Sequence, residues 1–168
     1  MLIFDFDQTL VDTSPVEALR VARRWKDVMA RAPDLKVYDG VNELLGELQA
    51  RGQKLAIVTK SPDMVPRAFI RAHRWPIDIV VGYHQVRKRK PDPEGLLLAM
   101  SQAKETPNSC VHLGDQPEDT EASRAAGMFA IGTAWGVNDP TGLEASKPDA
   151  IFKTVAECRA FLLEKFGR

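Results

Sequence analysis

Asp5 and Asp7 stand one residue apart where the apolar run LIF ends, in the segment LIFDFDQTLVDT, with Thr9 two residues further on. Two carboxylates at the mouth of a buried strand repel each other and lose hydration, a cost that a chemical use readily explains. Three further segments each deliver polar groups at the end of an apolar run or the start of a helix. LAIVTKSP brings Thr59, RKRKPDPEG brings Lys90, and VHLGDQPEDTEAS brings Asp115 and Asp119. Carboxylates ligate hard cations and exchange protons, whereas a hydroxyl and an ammonium bind anionic oxygen.

In this order, and across nearly the whole chain, the four segments resemble the motifs of the haloacid dehalogenase superfamily. The resemblance implies a Rossmann-like α/β/α sandwich with a mostly parallel sheet and the Asp5 strand in its middle. It also implies a phosphatase in which the Asp5 carboxylate attacks phosphorus, giving an acyl phosphate that water opens more easily than the original ester. Asp7 would protonate the leaving oxygen and then activate water. An acid at this second position points to phosphate esters, because relatives that cleave carbon–halogen bonds or phosphonates lack it. Thr59 and Lys90 would bind the transferring phosphoryl oxygens. Magnesium would sit between the Asp5 carboxylate, the backbone carbonyl of Asp7 and the Asp115 carboxylate, with Asp119 reaching it through water or orienting Lys90.

Plainer readings exist for each residue taken singly. Asp115 and Asp119 could be acids decorating a helix N-terminus, and Asp7 could cap the turn around Thr9. Threonine is ordinary at a strand end, and Ser61 near the same turn competes with Thr59 as the main phosphate ligand. Lys90 ends a run of four cations, residues 87–90, of the kind that normally forms a solvated loop. Its place before Pro91 matches the lysine–proline signature of the resembled family. Gln8 stands where that family often has glycine or asparagine, which puts substrate analogies in doubt.

The elements that must position these groups are marked by alternation. Apolar β-rich runs at 2–6, 55–59, 77–82, 110–114 and 128–135 alternate with helical patterns, which predicts a parallel sheet covered on both faces. Ligands of such sheets bind beyond the carboxyl ends of the strands, where Asp5, Thr59 and Asp115 fall. Capping boxes are expected at Ser14/Glu17 and Thr154/Glu157, and capping side chains before proline at Ser61 and Asp92. Gly52, Gly127 and Gly167 are expected at helix ends.

Many relatives of this subclass carry a cap of several helices between the first aspartates and the helix preceding the second motif. Here only residues 11–37 are available. They are expected to form one long helix, with Ala18, Val21, Ala22, Trp25, Val28 and Met29 on one face and Arg20, Arg23, Arg24 and Arg31 mostly on others, where they either contact the anionic parts of a bulky substrate or, as the plainer reading, form the solvated side of an amphipathic helix. The chain is thus expected to be one domain, residues 1–168, with this short insert in place of a full cap. An open site must take its specificity from few side chains, from a partner subunit or from a bulky or macromolecular substrate.

Composition bounds the remainder. The chain has 168 residues, 44% of them hydrophobic, with 23 basic and 23 acidic residues and no net charge. No overall field favours nucleic acid or a membrane surface, and the basic segments lack interleaved aromatics for base stacking. Trp25 reads as a core residue or a homodimer contact. Met1 lies just before the first strand and no apolar stretch is long enough to span a bilayer, so a cytoplasmic protein is the default expectation. Cys110 and Cys158 read as reduced core thiols and His112 as a hydrogen-bonded core residue. Two alternatives to a phosphatase stay open: a phosphotransferase or phosphomutase using the same residues, and a non-catalytic phosphate-binding subunit.

Overall fold

The computed structural model describes residues 1–165. Six parallel strands, β1 (Leu2–Phe4), β2 (Leu55–Val58), β3 (Ile79–Val81), β4 (Val111–Gly114), β5 (Phe129–Thr133) and β6 (Ala150–Phe152), form one sheet in the order β3-β2-β1-β4-β5-β6. Eight α-helices are found among the described residues: α1 (Glu17–Val21), α2 (Trp25–Ala30), α3 (Val41–Ala50), α4 (Met64–His73), α5 (Glu94–Ala103), α6 (Pro117–Ala125), α7 (Thr141–Ala145) and α8 (Val155–Lys165).

Period-two alternation splits the strand residues between two cores. Leu2, Phe4, Leu55, Ile57, Val111 and Leu113 pack with Leu44 and Leu48 of α3, Phe69 of α4 and Leu162 of α8. Ile3, Ala56, Val58 and Val81 face the opposite way, onto Leu96 and Ala99 of α5 and Ala122 of α6. The result is the expected three-layer Rossmann-like sandwich. Strand order reverses at β1, which lies between β2 and β4, so the crevice at their carboxyl ends is where such a sheet binds ligands.

Five strands lie within the expected runs, and β6 is absent from them: its three residues, AIF, are too short for alternation to register and, among the described residues, pair only with β5. Thr154 and Glu157 do form a capping box, since Glu157 Oε2 accepts from Thr154 N at 3.1 Å and Thr154 Oγ1 from Glu157 N at 3.2 Å. The box at Ser14 does not form. Asp12 accepts from both the amide and the hydroxyl of Ser14, and Glu17 turns to Arg20. Asp92 Oδ1 accepts from Glu94 N at 3.0 Å, whereas Ser61 faces the carboxylates rather than capping α4. Gly52 and Gly127 follow α3 and α6 with φ of 74° and 70°, while Gly167 lies outside the described residues.

The insert corrects one expectation. Instead of a single long helix it holds two short ones, separated where Arg23 takes a left-handed φ of 54°. A continuous helix would align Val21 with Val28, yet Val21 is 76% exposed and Ala22 is also exposed. The chain instead buries Val16 before the break and Val28, Ala32 and Leu35 after it, in the core of the α4 face. Burial of those side chains outweighs the helical periodicity, as tertiary packing commonly does for helices this short. The ends of the insert meet in a bridge between Val11 and Val37, and His73 of α4 contacts the carbonyl of Ala32 at 2.9 Å. No helix among the described residues is long and apolar enough to cross a membrane.

Candidate active site

β1 ends at Phe4, and the next residues turn tightly out of the sheet. Leu10 and Val11 both donate to the Phe6 carbonyl, and Gln8 donates to Val11 at 2.8 Å. Gln8 adopts φ 60°, which is why glycine or asparagine suits this position. Tyr38 steadies it by donating to Gln8 Oε1 at 2.7 Å. Gly136 passes so close that a Cβ there would meet the Gln8 carbonyl at 2.0 Å. The turn projects Asp5 and Asp7 over the β1 edge.

Lys90 lies at the centre. Its neighbours Arg87, Lys88 and Arg89 are exposed, but Lys90 is 7% exposed and its Nζ lies 2.9 Å from Asp5 Oδ1, 2.6 Å from Asp119 Oδ1 and 3.1 Å from the Val58 carbonyl. Burial alone would lower the Lys90 pKa, but Asp119 and Asp5 outweigh it and hold the ammonium charged. Asp119 also accepts the Gln116 amide through Oδ2 at 3.0 Å, which is how the start of α6 fixes it. Burial would raise the Asp119 pKa, yet Lys90 holds it below the ordinary carboxylate range. Gly114 makes room for this carboxylate, since a Cβ there would lie 2.3 Å from Asp119 Cγ.

Asp5, Asp115 and Asp119 each bring an oxygen within 4.8 Å of the others. Asp115 accepts from Thr9 Oγ1 at 3.2 Å and from Gln116 Nε2 at 2.5 Å, and Thr9 shares its hydroxyl with Thr133 at 3.1 Å. Burial pushes the Asp115 pKa to about 6, helped by the charge of Asp119. Burial likewise raises that of Asp5 well above its ordinary value, Lys90 opposing and Asp119, Asp115 and Asp7 adding. Counting Asp7, four carboxylates face Lys90 and Arg20, and Arg20 is shared with Glu17, so acidic groups outnumber the cations. An all-oxygen donor set with that excess of carboxylates fits a hard divalent cation.

The segment after β2 supplies hydroxyls. Ser61 Oγ donates to Asp7 Oδ2 at 3.0 Å, Thr59 Oγ1 points to the same oxygen at 3.5 Å, and Thr59 Oγ1 accepts the Ser61 amide at 3.0 Å. Asp5, Asp7, Thr59, Ser61, Lys90, Asp115 and Asp119, all singled out by sequence, therefore converge on one edge. Three contributors were not assigned there. Thr9 and Thr133 brace Asp115, and Arg20 of α1 reaches Asp7 Oδ2 at 3.0 Å. Arg24 and Arg31 do remain solvated, pairing with Asp27 and Asp34. Beside the cluster, Arg23, Trp25, Pro62, Tyr83 and His84 line a small aromatic slot.

His112, beneath the site, is a hydrogen-bonded core residue. Ser123 donates its hydroxyl to the Asp119 carbonyl at 2.7 Å, so His112 Nδ1, 2.7 Å from that hydroxyl, must be the donor to it. Burial, with Lys90 nearby, pushes the imidazole pKa down to about 4. Cys110 and Cys158 are free, buried thiols.

This geometry agrees with what comparison shows. Residues 16–133 match the sequence profile of haloacid dehalogenase-like hydrolases, a segment that begins after Asp5 and Asp7 and includes the other candidate residues. That match spans well over half of the chain, and the protein belongs to the haloacid dehalogenase-like hydrolase family. The chain is 29% identical over 157 residues, 92% of its length, to pyrophosphatase PpaX of Listeria innocua. It is 35% identical over 134 residues (79% of the chain) to the probable phosphatase IndB of Dickeya dadantii. It is 30% identical over 121 residues (71%) to the phosphoglycolate phosphatase of Escherichia coli K12. The matched regions span 72%, 58% and 48% of those curated relatives. A putative haloacid dehalogenase-like hydrolase from Bacteroides fragilis has the same fold, with a TM-score of 0.80 at 23% identity over 94% of this chain and 98% of that one.

Proposed function

We propose that the protein is a magnesium-dependent phosphatase that hydrolyses a phosphate monoester through a phospho-aspartate at Asp5. One observation supports this most strongly: Asp5 stands at the β1/β4 crevice with a buried ammonium at 2.9 Å and three more carboxylates around it. In the first step an Asp5 oxygen attacks phosphorus while Asp7 gives its proton to the departing ester oxygen. In the second, Asp7, now ionised, takes a proton from water as the water oxygen attacks phosphorus, releasing phosphate and the Asp5 carboxylate. Lys90 holds Asp5 in place and, with Thr59 or Ser61, binds the phosphoryl oxygens.

The Asp5 carboxylate, the Asp7 carbonyl and the Asp115 carboxylate would hold magnesium, with Asp119 orienting Lys90. The ion supplies cancellation of charge repulsion between an anionic nucleophile and an anionic phosphate. The domain is read as a single hydrolase domain in the cytoplasm, with residues 11–37 as a rudimentary cap. Relatives named pyrophosphatase and phosphoglycolate phosphatase favour small phosphorylated substrates. A phosphomutase must keep water from the intermediate, which two short helices are poorly placed to do, although one structural neighbour is a putative β-phosphoglucomutase from Thermotoga maritima.

Release of p-nitrophenol from its phosphate ester tests the reading. Turnover is expected with magnesium, none with chelator, and a loss of at least about a thousandfold in Asp5→Asn, which keeps shape but not the nucleophile. Turnover that survives in Asp5→Asn would overturn it.

A further inference from the structure

Among the described residues, Arg20 is the charged group of α1 and α2 that pairs with the carboxylate cluster, and its partners differ from those of Lys90. Lys90 pairs with Asp5 and Asp119. Arg20 places Nη2 3.0 Å from Asp7 Oδ2 and 3.5 Å from Ser61 Oγ, and Nη1 2.7 Å from Glu17 Oε2 and 3.4 Å from Thr13 Oγ1. If Asp7 serves the leaving oxygen, a cation held on Asp7 and not on Asp5 faces the leaving group rather than the phosphoryl group in transit. Two buried polar atoms here lack a hydrogen-bond partner among the described residues, Asp7 Oδ1 and Arg20 Nε. The Arg20 side chain is nevertheless 23% exposed, so a solute can still reach the guanidinium that these pairs hold.

We propose that Arg20 is a specificity-determining residue that reads a second anionic group, phosphoryl or carboxylate, on the leaving side of the substrate. This rests on the phosphatase reading and narrows its substrate class. Glu17 is the built-in competitor. Its side chain is 59% exposed, so its pair with Arg20 is screened and exchangeable, and a substrate anion can take its place on the planar fork of the guanidinium. A substrate with a neutral leaving group leaves Arg20 with Glu17 and gains nothing from it.

Calorimetric binding of non-hydrolysable phosphonates to the full chain, at fixed free magnesium, tests this. Methylenediphosphonate carries a second phosphoryl group, phosphonoacetate a carboxylate, and ethylphosphonate neither. The wild type is expected to bind at least one of the first two about tenfold or more tightly than ethylphosphonate, and whichever is favoured identifies the anion. Arg20→Gln should collapse that ratio to about threefold or less, and Glu17→Gln, on an exposed side chain, should widen it. Equal affinity for all three probes in the wild type overturns the proposal, as does a preference that survives Arg20→Gln. Should Arg20→Gln fail to fold, an unchanged ratio in Glu17→Gln overturns it. Because the readout is binding, a wild type that discriminates through Arg20 yet hydrolyses no ester would sink the phosphatase reading and with it the leaving-side assignment, whereas a wild type that hydrolyses esters but binds all three probes equally would sink this proposal alone.

Discussion

Asp5 is held in a place where its own charge is unwelcome. Burial raises its pKa, Asp119, Asp115 and Asp7 add to that, and Lys90 offsets only part of it. A neutral side chain of the same shape should therefore fit the metal-free fold better, as the proposed catalytic role of Asp5 would require of a site that trades stability for activity. Asp5→Asn is expected to be more stable than the wild type in urea unfolding at pH 7 with chelator, because the substitution removes a buried carboxylate crowded by three others. A less stable variant would mean that the pair with Lys90 dominates. Most of this cluster was legible in sequence because each acid ends an apolar run or opens a helix. The pairing of Arg20 with Asp7 was not, because one helical wheel over the insert does not distinguish Arg20 from Arg23, Arg24 and Arg31, whether they meet solvent or an anionic substrate.

At the scale of elements, α6 and β4 do the positioning. The Gln116 amide and Lys90 fix both oxygens of Asp119, and the carboxylate occupies the space that a side chain at position 114 would need. Gly114→Ala must push Asp119 off both partners or shift the strand. Overpacking of this kind costs about 1–3 kcal/mol, and here it should also weaken magnesium binding, because the displaced acid no longer orients Lys90. A thermal melt with and without magnesium checks both, and a variant with wild-type melting and metal response would contradict the assignment. The central strands and long helices were legible from periodicity and turn residues. The insert and β6 were not, because segments of three to six residues carry too little pattern to compete with tertiary burial.

Across the whole molecule, the order β3-β2-β1-β4-β5-β6 collects groups spread from Asp5 to Thr133 at one edge. Sequence showed the alternation and the resemblance placed the Asp5 strand in the middle, but the order of the other strands was not legible, because periodicity carries no information about which strands become neighbours. The excess negative charge at that edge couples the fold to pH and metal. The folded-state pKa of Asp115 is raised from 3.8 to about 6. The unfolded chain therefore gives up that proton first, and the contribution of Asp115 to metal-free stability falls as pH rises from about 4 to about 6 and is level above. Magnesium bound at the proposed site must displace the same proton, so its stabilising shift is predicted to be full at pH 7.5 and largely lost at pH 5. A shift as large at pH 5 as at pH 7.5 would place the ion elsewhere.

Covalent catalysis by Asp5 is the centre of the account, and acid quenching of the enzyme during turnover of a phosphate ester with magnesium, followed by peptide mass mapping, reads it directly. The expected result is one phosphoryl group on the peptide carrying Asp5, absent with chelator and absent in Asp5→Asn. Phosphate release that proceeds with no phosphorylated peptide and is untouched by Asp5→Asn would contradict it.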